Sequence, residues 1–136
     1  MAIDYGRKRV GLAVTDPLQI IATSLTTVEA ATIWDFLRDY FAREAVDTIV
    51  VGYPVQLNNE GSESLKYINP FLQRLIKTYP EKEVVQYDER FTSKLAFQTM
   101  IDSGIGKMKR RDKATVDTIS ATIILQSYME RKSNQL

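Results

Sequence analysis

The run Thr48 to Pro54, TIVVGYP, does most to limit what this chain can fold into. It is apolar almost without a break and is bounded by Gly52 and Pro54. A strand with one wet face alternates polar and apolar residues. A strand that is apolar at successive positions must be covered on both faces, as parallel strands are in α/β folds. Its flanks supply the cover. Ile33, Phe36, Leu37, Tyr40 and Phe41 precede it at helical spacing, and Leu65, Ile68, Phe71, Leu72, Leu75 and Ile76 follow in the same way. Tyr79-Pro80 ends the second of these helices.

The beginning of the chain has a different period. Ala2 to Asp4 reads as the end of a strand, and RVGLAVTD (Arg9 to Asp16) alternates as a second. The few residues between them allow only a hairpin, with Gly6 giving the turn its backbone freedom. Asp16-Pro17 breaks the second strand, and IIATSLTTV (Ile20 to Val28) supplies a third, so the opening is an antiparallel meander. Beyond the second helix, Glu83 to Tyr87 predicts a fifth strand. Thr92 or Ser93 caps a helix running towards Ser103-Gly104, and Ala114 to Arg131 forms a last helix with Val116, Ile119, Ile123 and Ser127 on one face. The expectation is a five-stranded mixed sheet, three antiparallel strands then two parallel, flanked by helices. The crossover between parallel strands should be right-handed. At 136 residues, with no repeat or linker, one domain over 1–136 is expected. No apolar stretch approaches the ~20 residues that span a bilayer.

The residues that are missing restrict the chemistry further. The chain has neither His nor Cys, so a Ser–His–Asp triad, a thiolate nucleophile and the usual zinc sites cannot be built. The lack of cysteine fits a reducing cytoplasm. What remains for catalysis is carboxylates, hydroxyls, amines and hard, oxygen-loving cations such as Mg²⁺ or Mn²⁺.

Ligands of open α/β sheets sit beyond the carboxyl ends of the parallel strands. Asp4 ends the first strand, Asp88 or Glu89 ends the fifth, and Asp117 lies in the first turn of the last helix. If that helix starts over the same edge, three carboxylates converge, and their charge is tolerable only beside cations. Each acid also has an ordinary role open to it. Asp4 could be a turn former, Glu89 could pair with Arg90 or Lys94, and Asp117 could favour a helix dipole. Net charge is only +1, but two clusters are basic: Arg7, Lys8 and Arg9, and the run Lys107 to Lys113, KMKRRDK. Either could be a solvated loop.

The blocks AIDYGRKRVGLAVTDP, IVVGYPVQLNNEGSES, YDERFTS and VDTISATIILQSYME resemble, in order and over nearly the whole chain, those of the YqgF-type family. Its members are RNase H-like proteins described as pre-16S ribosomal RNA nucleases and as Holliday-junction-resolvase-like. The resemblance implies the RNase H-like sheet. It selects Glu89 over Asp88, and it implies Asp4, Glu89 and Asp117 as catalytic ligands for Mg²⁺ or Mn²⁺. Two features depart from the family pattern. Only three residues precede Asp4, where the family's first strand usually starts earlier. Tyr53 stands where Leu is commoner, a change expected to alter packing rather than chemistry.

On that frame Arg7, Lys8 and Arg9, with Lys107, Lys109, Arg110, Arg111 and Lys113, are candidate contacts for nucleic-acid phosphates. The implied activity is hydrolysis of structured RNA by a metal-activated water, in maturation of the 5′ end of pre-16S rRNA, free or within a ribosomal particle. The protein would be a cytoplasmic monomer or weak homodimer. The rivals are a four-way-junction DNA resolvase using the same acids, which should be a symmetric dimer, and a non-catalytic RNA-binding module. A sugar-kinase or actin-like ATPase also reads Asp-x-Gly after a strand, but it needs two such domains, and no P-loop is present.

Overall fold

Alternation in the first thirty residues builds the expected meander: β1 (Ala2–Tyr5), β2 (Arg9–Thr15) and β3 (Ala22–Glu29), each antiparallel to the one before. The structure is a computed structural model that describes residues 1–16, 18, 21–54, 65–89 and 113–134, with the side chains of 113–117 and 134 excepted. At the first hairpin the Gly6 N–H donates to the Arg9 carbonyl at 2.9 Å. A Cβ on Gly6 would lie 2.6 Å from that same oxygen, so close approach is what demands glycine there.

A short 3₁₀ turn (Ala30–Thr32) leads into α1 (Ile33–Arg43), followed by β4 (Thr48–Tyr53), α2 (Leu65–Thr78), β5 (Glu83–Asp88) and α3 (Lys113–Asn134). The sheet order is β3-β2-β1-β4-β5, with β4 parallel to both β1 and β5. This is the five-stranded mixed sheet of an RNase H-like fold. The helix expected from Thr92 or Ser93 lies outside the described residues.

The Thr48–Pro54 run is apolar because it feeds two cores. Ile49 and Val51 join Ile3, Val10 and Leu12 under α1 and α2, where Ile33, Leu37, Phe71, Leu72 and Leu75 close the layer. Val50 points the other way, with Ala2, Ala13 and Tyr87, against Ala121, Ile124 and Leu125 of α3. Each large apolar side chain among these contributes about 1.5–3 kcal/mol relative to exposure. The two alanines on the sheet let α3 lie close.

The last helix buries more than the face read from its sequence, of which the Val116 side chain lies outside the described residues. Ile123 and Ser127 are buried, but Ile119 is only half-buried, and the residues packed on the sheet are Ala121, Ile124 and Leu125, flanked by Tyr128 and Met129. This helix is apolar on more than one side, so its period alone does not single out the face that meets Ala2 and Ala13. Among the described residues no buried side-chain nitrogen or oxygen lacks a hydrogen-bond partner, and no helix is long and apolar enough to cross a membrane.

Candidate active site

Strand alternation decides where Asp4 goes. Ala2 packs in the α3-side core and Ile3 in the opposite one, so Asp4 falls on the α3 face, half-buried at the carboxyl end of β1. Its partner on β2 is Gly11, and Gly11 pairs with Thr27 on β3. The row Asp4–Gly11–Thr27 therefore crosses the sheet on one face, with no side chain between the acid and the threonine.

On the other side of Asp4 lies β4. Continuing the Ile3–Val51 register by one residue brings Gly52 beside Asp4. A Cβ on Gly52 would sit 2.8 Å from Glu89 Oε1 and 2.7 Å from Ile124 Cδ1. The Glu89 carboxylate thus lies over Gly52, on the α3 face, next to the strand that carries Asp4. Asp88 pairs with Tyr53 in the ladder and falls by alternation on the opposite face. Of the two candidates at this strand end, Glu89 is the one brought to the Asp4 side.

The electrostatics match that placement. Burial, and then the Asp88 charge, raise the Glu89 carboxyl above its ordinary range. A carboxylate held partly out of water beside other acids is a poor neighbour for itself and a good ligand for a hard cation.

The third acid enters from α3. This helix runs antiparallel to β1, since Thr118 meets Thr27 near the end of β3 while Gln126 reaches Ala22 at its start. Its first turns therefore overlie the carboxyl ends of β1, β4 and β5. Asp117 immediately precedes Thr118, and its side chain is outside the described residues. Among the described residues no cluster of three ligand-type side chains occurs; of the three candidate acids, the two brought to one face are Asp4 and Glu89.

The basic residues separate. Arg7 and Lys8 are exposed at the hairpin tip, where the Lys8 carbonyl accepts a hydrogen bond from Ala30 N–H at 2.9 Å. Arg9 is half-buried, stands opposite Glu29 and falls on the α3 face with Asp4. Lys107, Lys109, Arg110 and Arg111 lie outside the described residues, and Lys113 opens α3 with its side chain outside them. Tyr53 acts in packing: its hydroxyl donates to Asn69 Oδ1 on α2 at 2.9 Å.

The sequence reading missed Gly52 as a site residue, taking it only as a strand boundary. A lone glycine inside a strand is a recognised sign of close approach, so the signal was there. It also missed the hydroxyls of Thr27 and Thr118, for which alternation gives no cue.

Carboxylates gathered at the carboxyl edge of a β3-β2-β1-β4-β5 sheet, under a helix crossing one face, define the RNase H-like class of phosphodiester-processing folds. More narrowly, the chain belongs to the RuvX family, described as Holliday junction resolvase, which matches residues 1–131. It is 58% identical over 130 residues to a Porphyromonas gingivalis protein named "Putative pre-16S rRNA nuclease", covering 96% of this chain and 94% of that one. Proteins of the same name from Bacteroides thetaiotaomicron and Flavobacterium johnsoniae are 54% and 52% identical over 132 residues, with 97% of this chain and 96% of each relative covered.

Proposed function

We propose that this chain is a metal-dependent endonuclease that hydrolyses phosphodiester bonds of structured RNA, acting at the 5′ end of pre-16S rRNA. The observation that carries the reading is the Glu89 carboxylate seated over Gly52 beside Asp4, at the sheet edge where α3 begins. The names of the relatives supply the substrate.

The donor set fits a hard divalent cation: oxygen ligands, partial burial, and a carboxyl whose ionised form is disfavoured by that burial and by a neighbouring acid. Asp4, Glu89 and Asp117 would hold Mg²⁺ or Mn²⁺, which when bound supplies a polarised water and counter-charge for the leaving oxygen. The protein's own part is to hold those carboxylates convergent; the cation, when bound, would favour their ionised form. Gly52 leaves room for Glu89, and the apolar Ile124 beside it limits water. Arg9, on the same face, is suited to a substrate phosphate, while Arg7 and Lys8 extend the positive rim. In-line attack of water would leave a 5′-phosphate and a 3′-hydroxyl. The basic run from Lys107 to Lys113 would bring a second group of cations. We assign residues 1–136 to one domain acting in the cytoplasm as a monomer or weak homodimer.

The family's description favours a second reading, a resolvase of four-way DNA junctions through the same carboxylates. Both are tested by incubating a pre-16S 5′-end RNA and a DNA junction with Mg²⁺ or Mn²⁺, with EDTA, and with an Asp117→Asn protein purified in parallel. RNA cleavage that needs both metal and Asp117 supports the proposal. Symmetric junction cutting alone moves the substrate to DNA. Identical behaviour of wild type and variant on both substrates refutes a catalytic role and leaves an RNA-binding module.

A further inference from the structure

Helix α3 is held to the edge strand β3 by polar contacts at one-turn spacing. Thr118 Oγ1 meets Thr27 Oγ1, Thr122 Oγ1 meets Ser24 Oγ at 2.8 Å, and Gln126 Oε1 accepts from the Ala22 N–H at 3.3 Å. Thr122 also donates to the Thr118 carbonyl at 2.8 Å. A hydroxyl has one proton, so Ser24 is the donor in its pair with Thr122.

The seam depends on a bulge. Ser24 and Thr27 are three residues apart, and in a regular strand they would face opposite ways. The β2–β3 register pairs Leu12 with Thr26 but Ala13 with Ser24, which leaves Leu25 unopposed. That extra residue turns both Ser24 and Thr27 towards α3. Leu25 itself packs against the core on the far face.

Apolar packing of Ala121 on Ala2 and Ala13 is non-directional and tolerates sliding, whereas hydroxyl pairs do not. On the opposite flank Tyr87 Oη and Ser127 Oγ lie 2.6 Å apart, tying α3 to β5 two residues before Glu89. These contacts hold the middle of the helix. Only the Thr27–Thr118 pair, among those named, acts at the end that carries Asp117, and it does so on the row that contains Asp4.

We infer that the Thr27–Thr118 hydroxyl pair is a positioning device: it fixes the Asp117 end of α3 against the Asp4–Gly11–Thr27 row and thereby sets the cation affinity of the site. The inference rests on the cation-site reading above and adds residues that act through the ligands rather than on the metal itself.

The test measures Mn²⁺ binding to the full chain by electron paramagnetic resonance, with thermal melting alongside. The proteins are wild type, Asp117→Asn, Thr118→Ser and the double variant Thr27→Val/Thr118→Val. Replacing both partners of a hydrogen bond by apolar groups of similar shape is nearly neutral for stability. The double variant should therefore melt near wild type yet bind Mn²⁺ about tenfold more weakly, the range seen for partners that orient metal ligands. Thr118→Ser keeps the hydroxyl and should bind within about twofold of wild type. Unchanged affinity in the double variant, beside a loss in Asp117→Asn, overturns the positioning role and spares the site. A loss in Thr118→Ser as large as in the double variant also overturns it, because the hydroxyl would not be the cause. Unchanged affinity in Asp117→Asn removes the cation-site reading and this inference with it.

Discussion

At the scale of single residues, Gly52 and Glu89 share one space. An alanine at Gly52 would press on Glu89 Oε1 and Ile124 Cδ1, both flexible side-chain ends, so the fold can yield but the carboxylate must move. Gly52→Ala is expected to destabilise by about 1 kcal/mol, the low end for overpacking. It should lower metal-dependent cleavage about 100-fold, as a 1 Å misplacement can; melting and single-turnover kinetics on one preparation check both. Glu89 gives a pH signature. Its native carboxyl titrates above the ordinary 4.5, through burial first and Asp88 second, so the folded state holds that proton more tightly than the unfolded chain. The stability this lends is full below about 4.5 and is lost as pH rises through the raised native value. Metal-free Glu89→Gln should therefore melt higher than wild type at pH 7, with the difference shrinking towards pH 4, and Mn²⁺ should raise only the wild-type melting temperature. The strand ends that carry Asp4 and Glu89 were legible in the sequence from the period of the strands. Strand period alone left Glu89 and Asp88 open, since the choice depends on which face each residue takes beyond the last ladder pair, and the family resemblance is what selected Glu89.

Secondary elements were legible where their period was clean. The Thr48–Pro54 run and the Ile33–Phe41 and Leu65–Ile76 stripes gave β4, α1 and α2, because a doubly covered strand and a one-sided helix each leave a distinct pattern. The third strand was placed from Ile20 and begins at Ala22. There the Asp16 carboxylate accepts from the Ile21 N–H at 2.8 Å and from the Leu18 N–H at 3.3 Å, closing a loop that β-branched propensity cannot reveal. The bulge at Leu25 was equally silent, since it is a property of pairing rather than of composition. The first hairpin provides a test at this scale. Gly6→Ala sets a methyl 2.6 Å from the Arg9 carbonyl, which is backbone and cannot rotate away. The turn must open, and a loss of about 1–3 kcal/mol is expected by melting, with weaker Mn²⁺ binding because Asp4 lies two residues before the turn. A wild-type melting temperature would contradict the reading of this turn.

For the whole molecule, a net charge of +1 gives no general attraction to nucleic acid, so affinity has to come from where the cations sit. The hairpin places Arg9 on the face of Asp4 and Glu89 and leaves Arg7 and Lys8 at the rim. Replacing all three by Gln in an Asp4→Asn background should reduce the slope of log affinity against log salt by about 2–3, at roughly 0.7–0.9 for each phosphate no longer neutralised. Arg9→Gln alone should weaken binding more than Arg7→Gln. The division into three antiparallel and two parallel strands was legible in the chain, whereas the order β3-β2-β1-β4-β5 is a property of pairing across the sheet that strand period does not carry. Convergence of the sheet edge on one cation would be visible in the anomalous difference density of a crystal grown with Mn²⁺. A peak is expected on the α3 face within coordination distance of Asp4 and Glu89, with Asp117 as the third carboxylate. A crystal saturated with Mn²⁺ that shows no peak there, or shows it bound only by other residues, would contradict that convergence.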